Sequence, residues 1–338
     1  SNIKHTQMKK LIFSVALLSA ALSASAEEHP LWMRYPAISP DGTTIAFAYK
    51  GDLYSVSVNG GEARQLTTHA AFDSHPVWSP DSKKIAFQSN REGSLDIFVI
   101  DAKGGAPTRL TTNSGSETPI AFADNDHVLY SASLQPTAQS IIFGDNTFPQ
   151  VYKVSTKGGR PELFSTLTME NISIAKNGVI LYHDKKGYED PWRKHQKSPI
   201  ARDIWLKSNG KFTKQTTFAG EDRSPVWTSD EKSFFYLSEQ DGTFNIYRRS
   251  LNSSSDKQIT HHKGNPVRFL TASSADLLCY GYDGEIYTVK EGGEPQKVNI
   301  SITTDNDAPS LVRQIKSWGA TEISVSPDAK EVAFVMHG

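Results

Sequence analysis

Cysteine is almost absent from this chain of 338 residues: there is one, Cys279. No intrachain disulfide can form, so the chain must be held by its packed interior. Cys279 sits in the apolar run Leu277-Leu278-Cys279-Tyr280, where a small buried hydrophobe is the expected role and a nucleophile is not. A surplus of one charge is also missing. Lys and Arg number 36 against 37 Asp and Glu, a formal net charge of −1. That balance excludes the concentrated basic surface that nucleic-acid binding requires. No apolar run is long enough to span a bilayer; the longest candidate, Leu11 to Leu22, is too short and lacks a stop-transfer flank. There is no Gly-x-Ser-x-Gly elbow, no His-Glu-x-x-His and no phosphate loop. No Cys/His spacing fits a metal, and His261-His262 are adjacent, which places them in a turn. No catalytic residue, metal or cofactor is therefore expected in this chain.

The first residues read as an export signal. Met8-Lys9-Lys10 is a basic start, an apolar stretch follows, and Ala24-Ser25-Ala26 fits a small-residue cleavage site. Residues 1–26 are taken as a tag remnant and signal peptide, with the mature chain starting near Glu27, which makes the protein periplasmic or otherwise exported. Removing Lys4, Lys9 and Lys10 leaves 33 basic against 37 acidic side chains.

What the chain does have is a repeat. Ser39-Pro40-Asp41-Gly42 precedes Ile45-Ala46-Phe47, Ser79-Pro80-Asp81-Ser82 precedes Ile85-Ala86-Phe87, and Ser326-Pro327-Asp328-Ala329 precedes Val332-Ala333-Phe334. Weaker copies are Thr228-Ser229-Asp230-Glu231 before Phe234-Phe235-Tyr236 and Ala123-Asp124-Asn125 before Val128-Leu129-Tyr130. A period near forty residues with only strand and turn signals inside it is the mark of a β-propeller. Double glycines at Gly60-Gly61, Gly104-Gly105, Gly158-Gly159 and Gly292-Gly293 mark hairpins. A polar–aliphatic–aromatic step recurs in the third strand (Asp52-Leu53-Tyr54, Gln150-Val151-Tyr152, Asp203-Ile204-Trp205, Asn245-Ile246-Tyr247, Glu285-Ile286-Tyr287), so each aromatic is expected between neighbouring blades. Pro36, Pro76, Pro119, Pro225 and Pro266 each stand near a first strand, the edge facing the central channel, and are expected at its start.

These signals predict an all-β fold, a six-bladed β-propeller of four-stranded antiparallel blades with repeats at 34–68, 69–112, 113–166, 167–217, 218–260 and 261–300. The propeller domain spans 27–300, 301–320 is a linker, and 321–338 are the first strands of a truncated second propeller. A seven-bladed ring with an incomplete blade is the alternative.

Strand alternation puts the first-strand starts and the turns between second and third strands on one face. Two long insertions, Leu134–Pro149 and Lys185–Ala201, fall there, beside Asp73, His75, Glu117, Asp222 and Arg223, which are expected to precede first strands. The second insertion is basic and carries Tyr188 and Trp192. It reads either as an electrostatic and aromatic contact for peptide carboxylates or another domain, or as a solvated loop with Trp192 packed on the rim. Tyr188, Trp192, Arg193, Lys194, Arg202, Arg223 and His75 are the candidate binding residues. Arg202 and Arg223 have a purely structural alternative, pairing with the adjacent Asp203 and Asp222.

Arg34-Tyr35-Pro36-Ala37-Ile38-Ser39-Pro40-Asp41-Gly42, Gly51-Asp52-Leu53-Tyr54, Gly187-Tyr188-Glu189-Asp190-Pro191-Trp192-Arg193-Lys194-His195, Ala201-Arg202-Asp203-Ile204-Trp205 and Glu221-Asp222-Arg223-Ser224-Pro225-Val226-Trp227 together resemble the amino-terminal part of the tricorn proteases, in their bacterial exported branch. The resemblance covers essentially all of 30–338. It implies a six-bladed propeller forming an open ring with no outer strand borrowed from the other terminus, then a seven-bladed propeller, a PDZ-like domain and a serine peptidase core. The propellers of such enzymes are thought to gate peptides, so the implied partners are peptides, other domains of the same polypeptide and possible second copies in a homo-oligomer. None of that family's catalytic positions lies in this chain. Two other readings remain: a protein-binding propeller like periplasmic TolB, and the propeller cap of a prolyl-oligopeptidase-like hydrolase.

Overall fold

The computed structural model describes residues 30–134, 148–188, 195, 197–251, 253–303 and 319–336. Each repeat folds as an antiparallel meander, because its four short strands are separated by turns too tight for any other connection. Blade one is β1 (Arg34–Ile38), β2 (Thr44–Tyr49), β3 (Asp52–Ser57) and β5 (Arg64–Gln65), with a short β4 (Gly61–Glu62) outside its sheet. Blade two is β6 (Asp73–Trp78), β7 (Lys84–Ser89), β8 (Asp96–Asp101) and β9 (Thr108–Arg109). Blade three is β10 (Glu117–Asp124), β11 (His127–Ala132), β12 (Gln150–Ser155) and β13 (Glu162–Ser165). Blade four is β14 (Met169–Ile174), β15 (Ile180–Asp184), β16 (Ile204–Ser208) and β17 (Lys211–Lys214). Blade five is β18 (Asp222–Trp227), β19 (Ser233–Ser238), β20 (Asn245–Ser250) and β21 (Asp256–Gln258). Blade six is β22 (Arg268–Ala272), β23 (Leu278–Tyr282), β24 (Glu285–Val289) and β25 (Gln296–Lys297). Among the described residues there is no helix. The first strands of consecutive blades lie side by side all the way round, which makes them the wall of a central lumen.

The Ser-Pro-Asp turns work as hydrogen-bonded knots. Ser39 donates its hydroxyl to Asp41 Oδ1 at 2.6 Å, and the backbone N–H of Thr43 donates to the same oxygen at 3.0 Å. The N–H of Thr44 donates to Ser39 Oγ at 3.0 Å. Ser79/Asp81 and Thr228/Asp230 repeat the arrangement. Tight Asx-type bonding of this kind fixes the β1–β2 register.

The hydrophobic interior is divided into six clusters, one for each seam between blades. Alternation along a strand explains this. Ile45 and Phe47 of β2 face blade six, while Ala46 and Ala48 face blade two. The third-strand aromatics do pack in these seams, as expected: Tyr54, Phe98, Tyr152, Trp205, Tyr247 and Tyr287. Each also has a register partner that the sequence reading missed, an aromatic on the second strand: Phe47, Phe87, Tyr130, Tyr182, Tyr236 and Tyr280. Five of these pairs have ring centroids 5.8–6.1 Å apart. Cross-strand aromatic pairs are among the stronger sheet contacts.

Among the described residues, each of the six four-stranded sheets draws its strands from one repeat, so none of these blades borrows an outer strand. Blade six meets blade one directly: the N–H of Ile38 donates to Thr271 Oγ1 at 3.1 Å. Beyond blade six, β26 (Ile300–Ser301) pairs in parallel with β4. The N–H groups of Gly61 and Ala63 donate to Asn299 O and Ser301 O, both at 2.8 Å. Val298 and Ile300 bury into the seam between blades six and one.

The prolines sit differently from expectation. Pro36, Pro76, Pro119 and Pro225 lie inside β1, β6, β10 and β18, and only Pro266 precedes its strand. The register slips at this point in every first strand. A β-bulge takes one residue out of the ladder, so a proline with no N–H is tolerated mid-strand.

Residues 303–338 form a second unit. Its described part is the hairpin of β27 (Ala320–Val325) and β28 (Val332–Met336). Ser326 donates to Asp328 Oδ1 at 2.7 Å, the same knot that joins β1 to β2. Ile323, Val325, Val332 and Phe334 of this hairpin are exposed.

Candidate functional site at the insertion face

Both insertions leave the ring between second and third strands. Of the candidate residues, Trp192, Arg193 and Lys194 lie outside the described residues, and so does most of the Leu134–Pro149 insertion. Tyr188, just before the gap, is 84% exposed. The base of the blade-four loop is anchored: Lys186 Nζ donates to the carbonyl of Ala201 and to Asp203. At its far side the N–H of His195 donates to Glu239 Oε2 at 2.8 Å, so the loop reaches over to blade five.

Asp73, His75, Glu117, Asp222 and Arg223 lie within first strands rather than before them. Their strands begin earlier than the prolines suggested because the bulge absorbs the proline. His75 stacks on Tyr35 with ring centroids 3.8 Å apart, and its Nδ1 lies 3.0 Å from Ser74 Oγ. Burial pushes its pKa down to about 4, so the ring is neutral.

Arg202 and Arg223 do not take the adjacent aspartates. Arg202 donates from Nε to Glu170 Oε2 at 3.0 Å and from Nη1 to Glu221 Oε1 at 3.4 Å. Arg223 donates from Nε to Glu221 Oε2 at 2.9 Å, and its guanidinium lies over the Phe244 ring at 5.4 Å. His183 completes the cluster. The Ser224 N–H donates to its Nδ1 at 3.0 Å, which leaves the proton on Nε2, and Nε2 donates to Glu170 Oε2 at 3.0 Å. Burial holds His183 below its ordinary pKa despite the neighbouring Glu170. Burial alone would raise Glu170 and Glu221, but hydrogen bonds from His183, Arg202 and Arg223 and the charges of the two guanidinium groups hold both below the usual carboxylate range. Two guanidinium groups thus face two carboxylates around a neutral imidazole, across the seam between blades four and five. Buried charges persist only when paired in this way.

A second pattern recurs on the same face. An acid at or just before the start of a third strand meets the first residue of the next blade's first strand: Asp52 with Asp73, Asp96 with Glu117, Asp203 with Asp222. Asp73 is held by Arg91 (2.9 Å) and Asp96 by Arg109 (2.7 Å). Asp52, Glu117 and Asp222 are pushed up, first by burial and then by the facing acid. Asp52 rises to about 6 with Asp73 opposite, and Glu117 to about 7 with Asp96 opposite. Asp222 rises to about 7 with Asp203 and Asp256 nearby.

Over residues 30–295 the chain matches a family model, the tricorn protease N-terminal beta propeller domain. The chain belongs to that family. As a tricorn propeller it is 25% identical over 280 residues to tricorn protease homolog 1 of Streptomyces coelicolor, covering 81% of this chain and 25% of that protein. It is 26% identical to the tricorn protease of Thermoplasma volcanium, with 80% and 26% covered. The crystal structure of the tricorn protease superposes with a TM-score of 0.69 at 20% identity, over 90% of this chain and 29% of that one. TolB from Acinetobacter baumannii shares the fold with a TM-score of 0.58 at 14% identity, over 75% of this chain and 62% of that one. The chain spans about a quarter of the length of the curated tricorn relatives it matches. Among the described residues of this tricorn propeller no group of three or more His, Cys, Asp or Glu side chains is placed to hold a metal ion. No described helix is long and apolar enough to cross a membrane.

Proposed function

We propose that this chain is the non-catalytic amino-terminal propeller of an exported tricorn-like serine peptidase, and that it guides peptides toward a catalytic core carried elsewhere in a longer polypeptide. The observation that carries this reading is the asymmetry of the ring. Leu31, Trp32, Phe72, Phe148, Leu167 and Tyr188 are large apolar side chains exposed on the insertion face. Among the described residues of the ring, the other exposed large apolar side chains are two, Leu163 and Phe212, on the outer strands β13 and β17. Apolar surface concentrated on one face is a docking surface for something. The exposed apolar hairpin of β27 and β28, which repeats the first half of a blade, supports a second propeller that continues past it. Arg193 and Lys194 would serve as carboxylate contacts on the insertion face, since guanidinium groups bind carboxylates in bidentate fashion.

The test uses the full-length protein. Arg193→Ala with Lys194→Ala is expected to leave melting unchanged and to alter peptide turnover or domain assembly; unchanged turnover and assembly would reduce the loop to solvated surface. The chain by itself is expected not to hydrolyse a mixed fluorogenic peptide library, and turnover sensitive to a serine-directed inhibitor would overturn the reading. A stand-alone protein-binding propeller is favoured only by the shared fold with TolB, and the sequence following Gly338 separates the two.

A further inference from the structure

The bulges of the first strands, which wall the lumen, each set one residue in an unusual backbone conformation. Tyr35, His75, Asn171, Ser224 and Phe269 occupy the bulge with left-handed φ values of 53°, 56°, 48°, 53° and 60°. In blade three the bulge position falls on Pro119, whose ring forbids positive φ. Left-handed backbone in non-glycine residues is strained and persists only where the surroundings impose it. Three of the five are rings, in the consecutive blades six, one and two. Tyr35 lies 4.8 Å from Phe269 and 3.8 Å from His75, ring centre to ring centre.

The residue before each bulge adds charge. Around the lumen this position reads Arg34, Ser74, Thr118, Glu170, Arg223 and Arg268. The single acid, Glu170, is already engaged by Arg202 and His183. Arg268 and Arg34 flank the aromatic arc in sequence, and Arg34 hydrogen-bonds the Tyr35 side chain. The lumen wall over blades six, one and two is thus aromatic and cationic. Four first strands, β1, β6, β10 and β18, carry a proline, which removes N–H groups from the edge that faces the axis. An incoming peptide therefore cannot readily add as a further strand and must be recognised through its side chains.

We propose that the aromatic–guanidinium arc of Phe269, Tyr35, His75, Arg268 and Arg34 is a lumen subsite that selects extended peptide segments in which an aromatic residue is flanked by carboxylates. The aromatic side chain stacks on Tyr35 and Phe269, and the carboxylates meet the two guanidinium groups. The inference rests on the reading that peptides enter this ring.

The experiment measures fluorescence anisotropy of three labelled peptides with the 338-residue chain: Ala-Glu-Phe-Glu-Ala, Ala-Lys-Phe-Lys-Ala and Ala-Glu-Ala-Glu-Ala. The first is expected to bind about tenfold tighter than either of the others, the worth of one good aromatic or charged contact. Tyr35→Asn keeps a residue that tolerates left-handed φ while removing the ring. It is expected to abolish the preference for Phe, and Arg268→Gln the preference for Glu, each with a cooperative melt retained. Equal affinities, no saturable binding, or a preference that survives both substitutions would overturn the subsite. If Tyr35→Asn fails to fold, the three peptides on the unaltered chain and Arg268→Gln still decide. Turnover by the full-length protein tests the gating reading separately: selective binding without turnover keeps the subsite and removes the peptidase, and turnover without selective binding does the reverse.

Discussion

The stacked carboxylates on the insertion face make this propeller lose stability as pH rises through neutrality. Glu117 and Asp222 are each 1% exposed and titrate near 7, well above the ordinary carboxylate values of about 4. A raised acid binds its proton more tightly in the folded than in the unfolded state. Its contribution is complete below the ordinary pKa and is lost as pH climbs toward the raised one. Between pH 6 and pH 8 the folded group goes from about nine-tenths protonated to about one-tenth, while the unfolded group stays ionised, which amounts to about 1.3 kcal/mol for each residue. Two residues give about 2.7 kcal/mol, a large part of a total stability of about 5–15 kcal/mol. Asp52, titrating near 6, adds to the lower end of the same window. The groups around the pair at Glu117 are Asp96, Arg109, Thr111 and Tyr130; around Asp222 they are Asp203, Thr216, Tyr236, Ser238 and Asp256. His75, His183 and His262 work the other way: each is held below the ordinary imidazole value of about 6.5, so the unfolded rings lose their protons across this window, and His75, at about 4 when folded, alone returns about 0.8 kcal/mol. Urea unfolding at pH 6, 7 and 8 is the assay, and with a slope near 3 kcal/mol/M the midpoint is expected to drop by about 0.5 M once the histidines are set against the carboxylates. Glu117→Gln and Asp222→Asn together should flatten the dependence. A midpoint that holds or rises from pH 6 to 8, or a drop of unchanged size in the double variant, refutes the reasoning.

Three further outcomes follow from the packing. Gly60→Ala puts a Cβ 2.4 Å from the carbonyl oxygen of Asn299 at a φ of +84°, so it should force β26 off β4 and cost about 2 kcal/mol in thermal unfolding. Arg202→Ala leaves Glu170 and Glu221 without a shared cation in a buried seam and should cost about 3–5 kcal/mol, whereas Arg202→Met combined with Glu170→Gln should recover part of that loss. Phe87→Ala should cost about 3–5 kcal/mol, because the ring is fully buried against Phe98, while Phe212→Ser on the exposed outer strand of blade four should stay within about 0.5 kcal/mol.

The propeller was legible because its turns are chemical: a serine, a proline and an aspartate in sequence can close only a few loop geometries, and they recur at one period. The third-strand aromatics were read correctly for the same reason. Their partners on the second strand were overlooked, although the sequence shows them as the closing residue of Ile45-Ala46-Phe47, Ile85-Ala86-Phe87 and Val128-Leu129-Tyr130. The proline positions were misjudged by two or three residues because spacing alone does not reveal a bulge. The charged cluster was harder to see. Arg202 and Arg223 stand out in the sequence, but of their neighbours only Glu221 is close by, two residues before Arg223, while Glu170 and His183 come from other places in the chain. One signal was available: Glu170 and His183 are directly opposed across the β14–β15 hairpin, so its register could have linked them. No local pattern could have brought Arg202 to Glu170, 32 residues away.

The division of the interior into six seams has a consequence for how the molecule comes together. Each blade is a sheet with two oily faces, so a partial ring always ends in two raw faces, however many blades it has gathered. The contact that closes the ring, between residues such as Ile38 and Thr271, joins segments 233 positions apart in the chain. The entropy of bringing them together is spent only once, at the end. A ribosome emitting this chain must therefore hold blade one's outer face unsatisfied until blade six has emerged. Nascent copies released early would offer that face to one another, so chaperone protection during synthesis is where a shortfall in this protein would first be felt.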